Sequence, residues 1–127
     1  MLFRSRANFI DGLVLAQNNS RLTVKSLGQA INLSNIKREF REGEAVTLIV
    51  RPEMIQIKRM GGIYPGVVRQ AVYLGDVIEY AVEVAGVSIL GVEADPHVTE
   101  IFPEGERVTV GFAEDRIQVL PAGKKKD

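Results

Sequence analysis

Residues 42–57 read EGEAVTLIVRPEMIQI, and residues 104–119 read EGERVTVGFAEDRIQV. Offset by 62 residues, Glu42, Gly43, Glu44, Val46, Thr47, Ile55 and Gln56 recur, and Glu53 recurs as the acid Asp115. Phe40 recurs as Phe102, and Gly12-Leu13-Val14 is similar to Gly66-Val67-Val68 farther upstream. An order of three strands, a capping turn, the EGE turn, a strand, a turn and a strand therefore appears twice. Two copies of so long a unit do not make a solenoid. Five strands suit a partly open Greek-key barrel of the OB type, whose closure removes exposed edges. The fold class expected is all-β, as two tandem OB-like five-stranded barrels related by an internal repeat, intertwined or packed together. The expected units are 1–62 and 63–127, with exchange of strands between them allowed. One β-sandwich made by duplication is the alternative.

The residues around the repeat agree with strands. The 127 residues include 16 Val and 11 Ile, with 12 Gly and 5 Pro as punctuation. Arg21-Leu22-Thr23-Val24-Lys25, Tyr80-Ala81-Val82-Glu83-Val84 and Arg107-Val108-Thr109-Val110 alternate with period two, which places their apolar members on one face. Expected strands are 12–17, 21–27, 29–33, 45–51, 54–58, 64–74, 77–86, 87–93, 107–112 and 115–120. The runs 45–50 and 87–92 are continuously apolar and predict strands covered on both sides. Helical turns are expected at 34–40, behind Ser34, and at 95–101, where Asp95 stands at a cap position and Pro96 follows it.

Composition excludes several functions. Lys plus Arg is 16 and Asp plus Glu is 16, a formal net charge of zero. A sequence-independent nucleic-acid binder needs a basic surplus, and an OB-type binder needs aromatic platforms. Aromatics are only 6% and Trp is absent, so a nucleic-acid partner ranks last. There is no Cys and one His, His97. Disulfides, thiolate sites and multi-histidine metal sites are excluded. His97, in a polar turn, is expected to be exposed. No Ser has both a His and a carboxylate partner evident. The carboxylates recur at strand starts in both copies and suit solvated turns. No catalytic residue, cofactor-binding residue or metal ligand is expected. No apolar run reaches membrane-spanning length, and the start lacks a signal-peptide core.

Val50-Arg51-Pro52-Glu53 followed by Met54-Ile55-Gln56-Ile57 resembles the C-terminal TOBE domain of ABC-importer ATPases. Gly66-Val67-Val68, then Tyr73-Leu74-Gly75-Asp76 and Tyr80 to Val84, is similar to the family's second segment. Glu104-Gly105-Glu106-Arg107-Val108 resembles its closing strand, and Ala7-Asn8-Phe9 with Gly12 its opening. The resemblance runs from residue 6 to about 120. It implies a non-catalytic regulatory and dimerisation domain of the ATP-binding subunit of a binding-protein-dependent importer, of the maltose, polyamine, ferric-iron or sulfate type. The partners it implies are a second copy of the ATPase subunit, the membrane subunits, and a regulatory protein or small ligand. It implies a cytoplasmic place at the inner face of the membrane. No G-x-x-x-x-G-K-[ST] loop occurs, so ATP and Mg would belong to an ATPase portion outside this chain. The chain is expected to be a piece of a longer subunit, with Met1 an added start or an internal residue, and with Lys124, Lys125 and Lys126 in a solvated, disordered tail.

Family-motif positions are Asn8, Gly12, Arg51, Pro52, Glu53, Tyr73, Gly75 and Asp76. Arg51 and Glu53 at i and i+2 suit a ligand clamp, or a structural corner in which Pro52 ends a strand and the two charges pair. The corner is favoured. Tyr73 to Asp76 suits a turn better than an aromatic platform. A related small module that binds molybdate has a similar Ser-x-x-Asn opening, here Ser5 and Asn8. That suggests a small-ligand or oxyanion binder as the second function, against a plain turn before the first strand.

Overall fold

The computed structural model describes residues 6–94 and 101–122. It holds ten strands: β1 (Asn8–Asn18), β2 (Arg21–Ser26), β3 (Gln29–Leu33), β4 (Ala45–Val50), β5 (Ile55–Lys58), β6 (Tyr64–Tyr73), β7 (Val77–Val84), β8 (Val87–Ala94), β9 (Arg107–Phe112) and β10 (Gln118–Pro121). A 3-10 turn, Pro52–Met54, separates β4 from β5. Among the described residues no helix is long and apolar enough to cross a membrane.

The strands form two five-stranded antiparallel sheets, ordered β10-β4-β1-β2-β3 and β5-β9-β6-β7-β8. In the frame of the repeat these orders are the same, with β10 standing for β5, β4 for β9, β1 for β6, β2 for β7 and β3 for β8. The fifth strand is traded. β5 follows β4 in the chain but pairs with β9, Ile57 opposite Val110. β10 follows β9 but pairs with β4, Val119 opposite Leu48. The architecture is two intertwined OB-like barrels.

Backbone hydrogen bonds show why the EGE turns recur. Glu44 O accepts from Val14 N at 2.9 Å, and Gly43 N donates to Val14 O at 2.8 Å. In the second copy Glu106 O accepts from Val68 N at 2.9 Å, and Gly105 N donates to Val68 O at 2.7 Å. Each turn thus grips a β-bulge, between Val14 and Ala16 or between Val68 and Gln70. Gly43 and Gly105 take φ of 85° and 90°, a left-handed conformation that costs glycine little. Gly12 and Gly66 serve close packing instead: a Cβ there would stand 2.6 Å from Val24 Cγ1 or 2.8 Å from Val82 Cγ1.

The buried apolar side chains of both sheets form one continuous cluster. The first sheet contributes aliphatic groups, Leu22, Val24, Leu48 and Val50 among them. The second adds ring pairs, Tyr64 with Phe112 at 5.4 Å and Tyr80 with Phe102 at 6.2 Å between centroids. Its outer strands β5 and β8 close on each other, for a Cβ on Gly91 would lie 3.0 Å from Ile57 Cδ1.

Four expectations need correction. No helical turn forms at 34–40. Ile36 and Phe40 are both buried in the core, and Ile36 N donates to Ser20 O at 2.9 Å, so tertiary anchors hold this segment in an irregular, non-helical course. β8 is an edge strand with Val87 and Ser88 exposed, not one covered on both sides. β1 begins at Asn8 rather than Gly12, and β10 at Gln118 rather than Asp115. The latter shift arises because Arg116 N bonds back to Ala113 O at 3.1 Å, a turn equivalent to Met54 N on Arg51 O at 2.9 Å. Residues 95–100, with His97, and residues 1–5 and 123–127, with Ser5 and the lysine tail, lie outside the described residues.

Candidate functional site

One end of the first sheet's outward face gathers Arg51, Pro52 and Glu53 of the eight motif residues. Side chains alternate along β1, so Phe9, Asp11 and Leu13 point away from the core while Asn8 and Ile10 are buried. Phe9 stands opposite Ile49, and Leu13 opposite Ala45. β10 adds Leu120 opposite Thr47 and Gln118 opposite Ile49. At the Phe9 end the surface dips into a cleft of about 600 Å³, lined by Arg6, Phe9, Ile49, Arg51, Pro52 and Gln118 among others. Apolar Phe9, Ile49 and Pro52 line it together with the charged Arg6, Arg51 and Glu53.

Each motif residue has a definite place here. Asn8 is not in a turn but is the first residue of β1. Its Nδ2 donates to Leu90 O at 2.9 Å and to Val50 O at 3.2 Å, and its Oδ1 accepts from Leu90 N at 2.8 Å. The side-chain amide acts as a short strand, tying the first sheet to the edge of β8. Those bonds use the groups that an oxyanion would need. Arg51 and Glu53 are exposed on one side of the corner with 3.9 Å between charges, and Pro52 is buried at the start of the 3-10 turn. Arg6 binds Glu79 of β7 through two contacts of 2.9 Å. Gly12 packs under β1 as described. Tyr73, Gly75 and Asp76 sit apart from the cleft, at the β6–β7 turn, where Gly75 has φ 96° and Leu74 N donates to Val77 O at 2.9 Å.

A second concavity takes Glu53, Ile55, Gln56 and Ile57 from the motif and joins them to residues far away in the sequence. A groove of about 710 Å³ follows the β5–β8 seam, lined by Ile55, Ile57, Lys58, Arg59, Glu93 and Phe102 among others. Arg59 pairs with Glu106 and lies over the Phe102 ring at 5.5 Å. Burial pushes the Glu93 carboxyl above its ordinary range. Only the seam's closure brings β5 and β8 residues together, and no sequence spacing announces it. Among the described residues no group of three or more His, Cys, Asp or Glu is placed to hold a metal.

Comparison with known proteins places this geometry. The family described as "TOBE domain" matches residues 48–120, more than half of the chain. The chain belongs to the TOBE domain family. This TOBE chain is 31% identical over 121 residues to the spermidine/putrescine import ATP-binding protein PotA of Ruegeria pomeroyi, covering 93% of the chain and 32% of that protein. It is 28% identical over 120 residues to spermidine/putrescine import ATP-binding protein PotA 1 of Pseudomonas aeruginosa, with the same coverages. The TOBE chain spans about a third of the length of these relatives. Its fold matches the solved structure of the cytoplasmic molybdate-binding protein ModG with a TM-score of 0.77 at 15% identity, over 94% of this chain and 99% of that one.

Proposed function

We propose that this TOBE domain is the non-catalytic regulatory and dimerisation domain of the ATP-binding subunit of a binding-protein-dependent ABC importer. The observation that carries it is the similarity, over 93% of the chain, to import ATP-binding proteins three times as long. Its role is mechanical: it holds two ATPase subunits together through the transport cycle and passes on signals from a regulatory protein or small ligand. The membrane subunits are partners through the parent protein, and the complex works at the cytoplasmic face of the membrane. ATP and Mg belong to the portion outside this chain, whose own residues do not fit a nucleotide, because no phosphate-cradling glycine loop is present. The test compares the parent subunit with and without this segment by analytical ultracentrifugation and ATPase assay. Loss of dimers on deletion is expected. Monomers in both forms, with unchanged turnover, would sink the reading.

A second reading, a small oxyanion binder, draws on the fold shared with ModG and on the arginine-rimmed cleft. It is weakened because Asn8 is committed to backbone groups and Arg6 to Glu79. Calorimetric titration with molybdate, tungstate and sulfate tests it, and absence of heat in all three removes it.

A further inference from the structure

The internal repeat makes each sheet a control for the other, and their seams differ. In the second sheet β5 closes on β8 beside Gly91, where a Cβ would lie 3.0 Å from Ile57 Cδ1 and 3.2 Å from Ile55 Cγ2. The matching position in the first sheet is Leu33. Gly12 packs on Val24 and Gly66 on Val82, Val24 pairs with Ile31 and Val82 with Ile89, and Leu33 and Gly91 stand two residues farther on. Leu33 is buried and takes the room that Gly91 leaves open, so β10 cannot close on β3 as β5 closes on β8. Among the described residues β10 pairs with β4 alone.

The open seam holds a groove of about 450 Å³ between β10 and the irregular segment 35–38. Four consecutive residues, Ile117 to Leu120, line it, inward-facing and outward-facing alike, so the groove follows the edge of the strand. Alternate residues of an antiparallel edge strand turn their N–H and C=O away from their partner, and these groups are a template for another strand. The opposite wall is anchored from behind. Ile36 N donates to Ser20 O at 2.9 Å, Gln17 Nε2 to Arg38 O at 2.9 Å, and Phe40 N to Gln17 Oε1 at 2.8 Å. The charged lining is Lys37 and Arg38, and no acid lines the groove. Both side chains are exposed and, among the described residues, carry no ion pair or hydrogen bond. Arg6, Arg51, Arg59 and Arg69 are each set against a glutamate instead.

We infer that this groove takes an extended acidic peptide segment of a partner protein, added as a strand beside β10 with its carboxylates on Lys37 and Arg38. The inference rests on the regulatory reading and deepens it by naming the chemistry of the regulatory partner. Main-chain hydrogen bonds to β10 supply affinity, and alternate side chains supply specificity. Apolar groups of the peptide meet Ile36 and Val119, while its carboxylates make charge-assisted hydrogen bonds to the two cations. Charge selects this occupant over the others. The chain's own ends carry the sign of the wall, with Arg4 in residues 1–5 and Lys124, Lys125 and Lys126 against Asp127 in the tail. A second copy would bring its own Lys37 and Arg38 to the contact, and like charges would meet. β10 is four residues long, about 13 Å, so the paired stretch is short and binding by the peptide alone is weak.

The test titrates the full chain with a blocked hexapeptide of alternating glutamate and valine, followed by amide NMR. Saturable shifts at Lys37, Arg38, Gln118 and Leu120 are expected at high micromolar to millimolar peptide. A fully N-methylated version cannot form the ladder, and a lysine–valine version has the wrong sign. Each is expected to bind at least about tenfold more weakly. The variant K37E/R38E should keep the circular dichroism spectrum, lose at least about tenfold in affinity for the glutamate peptide and gain affinity for the lysine peptide. No saturable shift at millimolar peptide, equal binding of the N-methylated peptide, unchanged preference in K37E/R38E, or shifts on another face overturns the strand site. Binding of a short oligouridylate as tightly as the peptide marks a general anion patch and overturns it as well. The regulatory reading is judged separately, by turnover of the parent subunit with and without the segment.

Discussion

The two sheets share strand order, bulges and turns, yet they distribute their apolar groups differently. Apart from Phe40, the first has an aliphatic interior, and its outward face carries Phe9, Leu13 and Leu120 exposed. The second has an aromatic interior, with Tyr64, Tyr80, Phe102 and Phe112, and a charged outward face. Backbone plan and surface chemistry are therefore separable. The EGE turns and glycines maintain the plan in both copies, while the outward positions were left to diverge. The matched threonines show the same split. Thr109 Oγ1 accepts from Gly62 N at 2.8 Å and donates to Lys58 O at 3.1 Å. Thr47 Oγ1 is buried without a hydrogen bond.

The strongest way to break the comparison is to ask whether the sheets are independent. Because β5 and β10 are traded, neither sheet is complete without the other copy, and unfolding should be a single transition. Leu48, fully buried on β4, is the counterpart of Val110 on β9. Leu48→Ala should cost about 3 kcal/mol. It should lower one melting transition seen alike by far-ultraviolet dichroism and by the tyrosines, all of which belong to the second sheet. A biphasic melt, with the tyrosine signal unmoved, would mean the sheets fold separately.

Much of this was legible beforehand, and the misses have physical causes. Period-two alternation located strands such as β2, β7 and β9, and apolar runs between turn residues located β4 and β8. The trade of β5 for β10 is silent in that pattern: Ile55 and Ile117 are buried alike, and either strand could extend either sheet without changing a single apolar position. The segment 34–40 carries a helix-start signal at Ser34, but two buried anchors override it. The sequence marks Asn8 as a motif position in a turn, whereas it opens β1 and its amide is bonded to backbone groups. Its partner Leu90 is 82 residues away, and no local spacing reports such a contact.

Asn8 supplies the next test, because the sheets differ there too. The edge of β8 is held by its amide, whereas the position 54 residues on is Gly62, which has no side chain to hold β3. Asn8→Ala leaves the Leu90 N–H and C=O without their partner, at a cost of about 2 kcal/mol. Hydrogen exchange at the Leu90 amide should accelerate, while the Ile31 amide in the first sheet slows or speeds no more than the global change requires. Equal acceleration at both would deny Asn8 a local role.

Tyr64 distinguishes the interiors by pH. Burial pushes its phenol up to about 12, offset in part by the Ser26 hydroxyl beside it. An unfolded tyrosine ionises near 10. The folded state disfavours the phenolate, so the stabilisation is complete below pH 10 and is lost as pH rises through 12. The loss should reach about 2 kcal/mol by pH 12. Tyr64→Phe should remove that component of the slope and change stability at pH 7 by less than about 1 kcal/mol, since the hydroxyl has no hydrogen bond of ordinary geometry to lose. An unchanged alkaline slope in the variant would assign the titration to other groups.

The smallest effect on stability comes from copying the first face onto the second. Arg69→Leu with Arg107→Ala installs the residues found at Leu15 and Ala45. The Arg69–Glu83 pair is exposed, with side-chain exposures of 60% and 42%, so water and salt already screen most of its attraction. The melting transition should therefore move by an amount worth less than about 0.5 kcal/mol. Association behaves differently, because it depends on apolar area that stays exposed in the monomer. If exposed apolar side chains favour self-association, the variant should associate more than the wild type in sedimentation at high concentration. A variant that sediments as the wild type does would show that the polarity of these two positions does not control association.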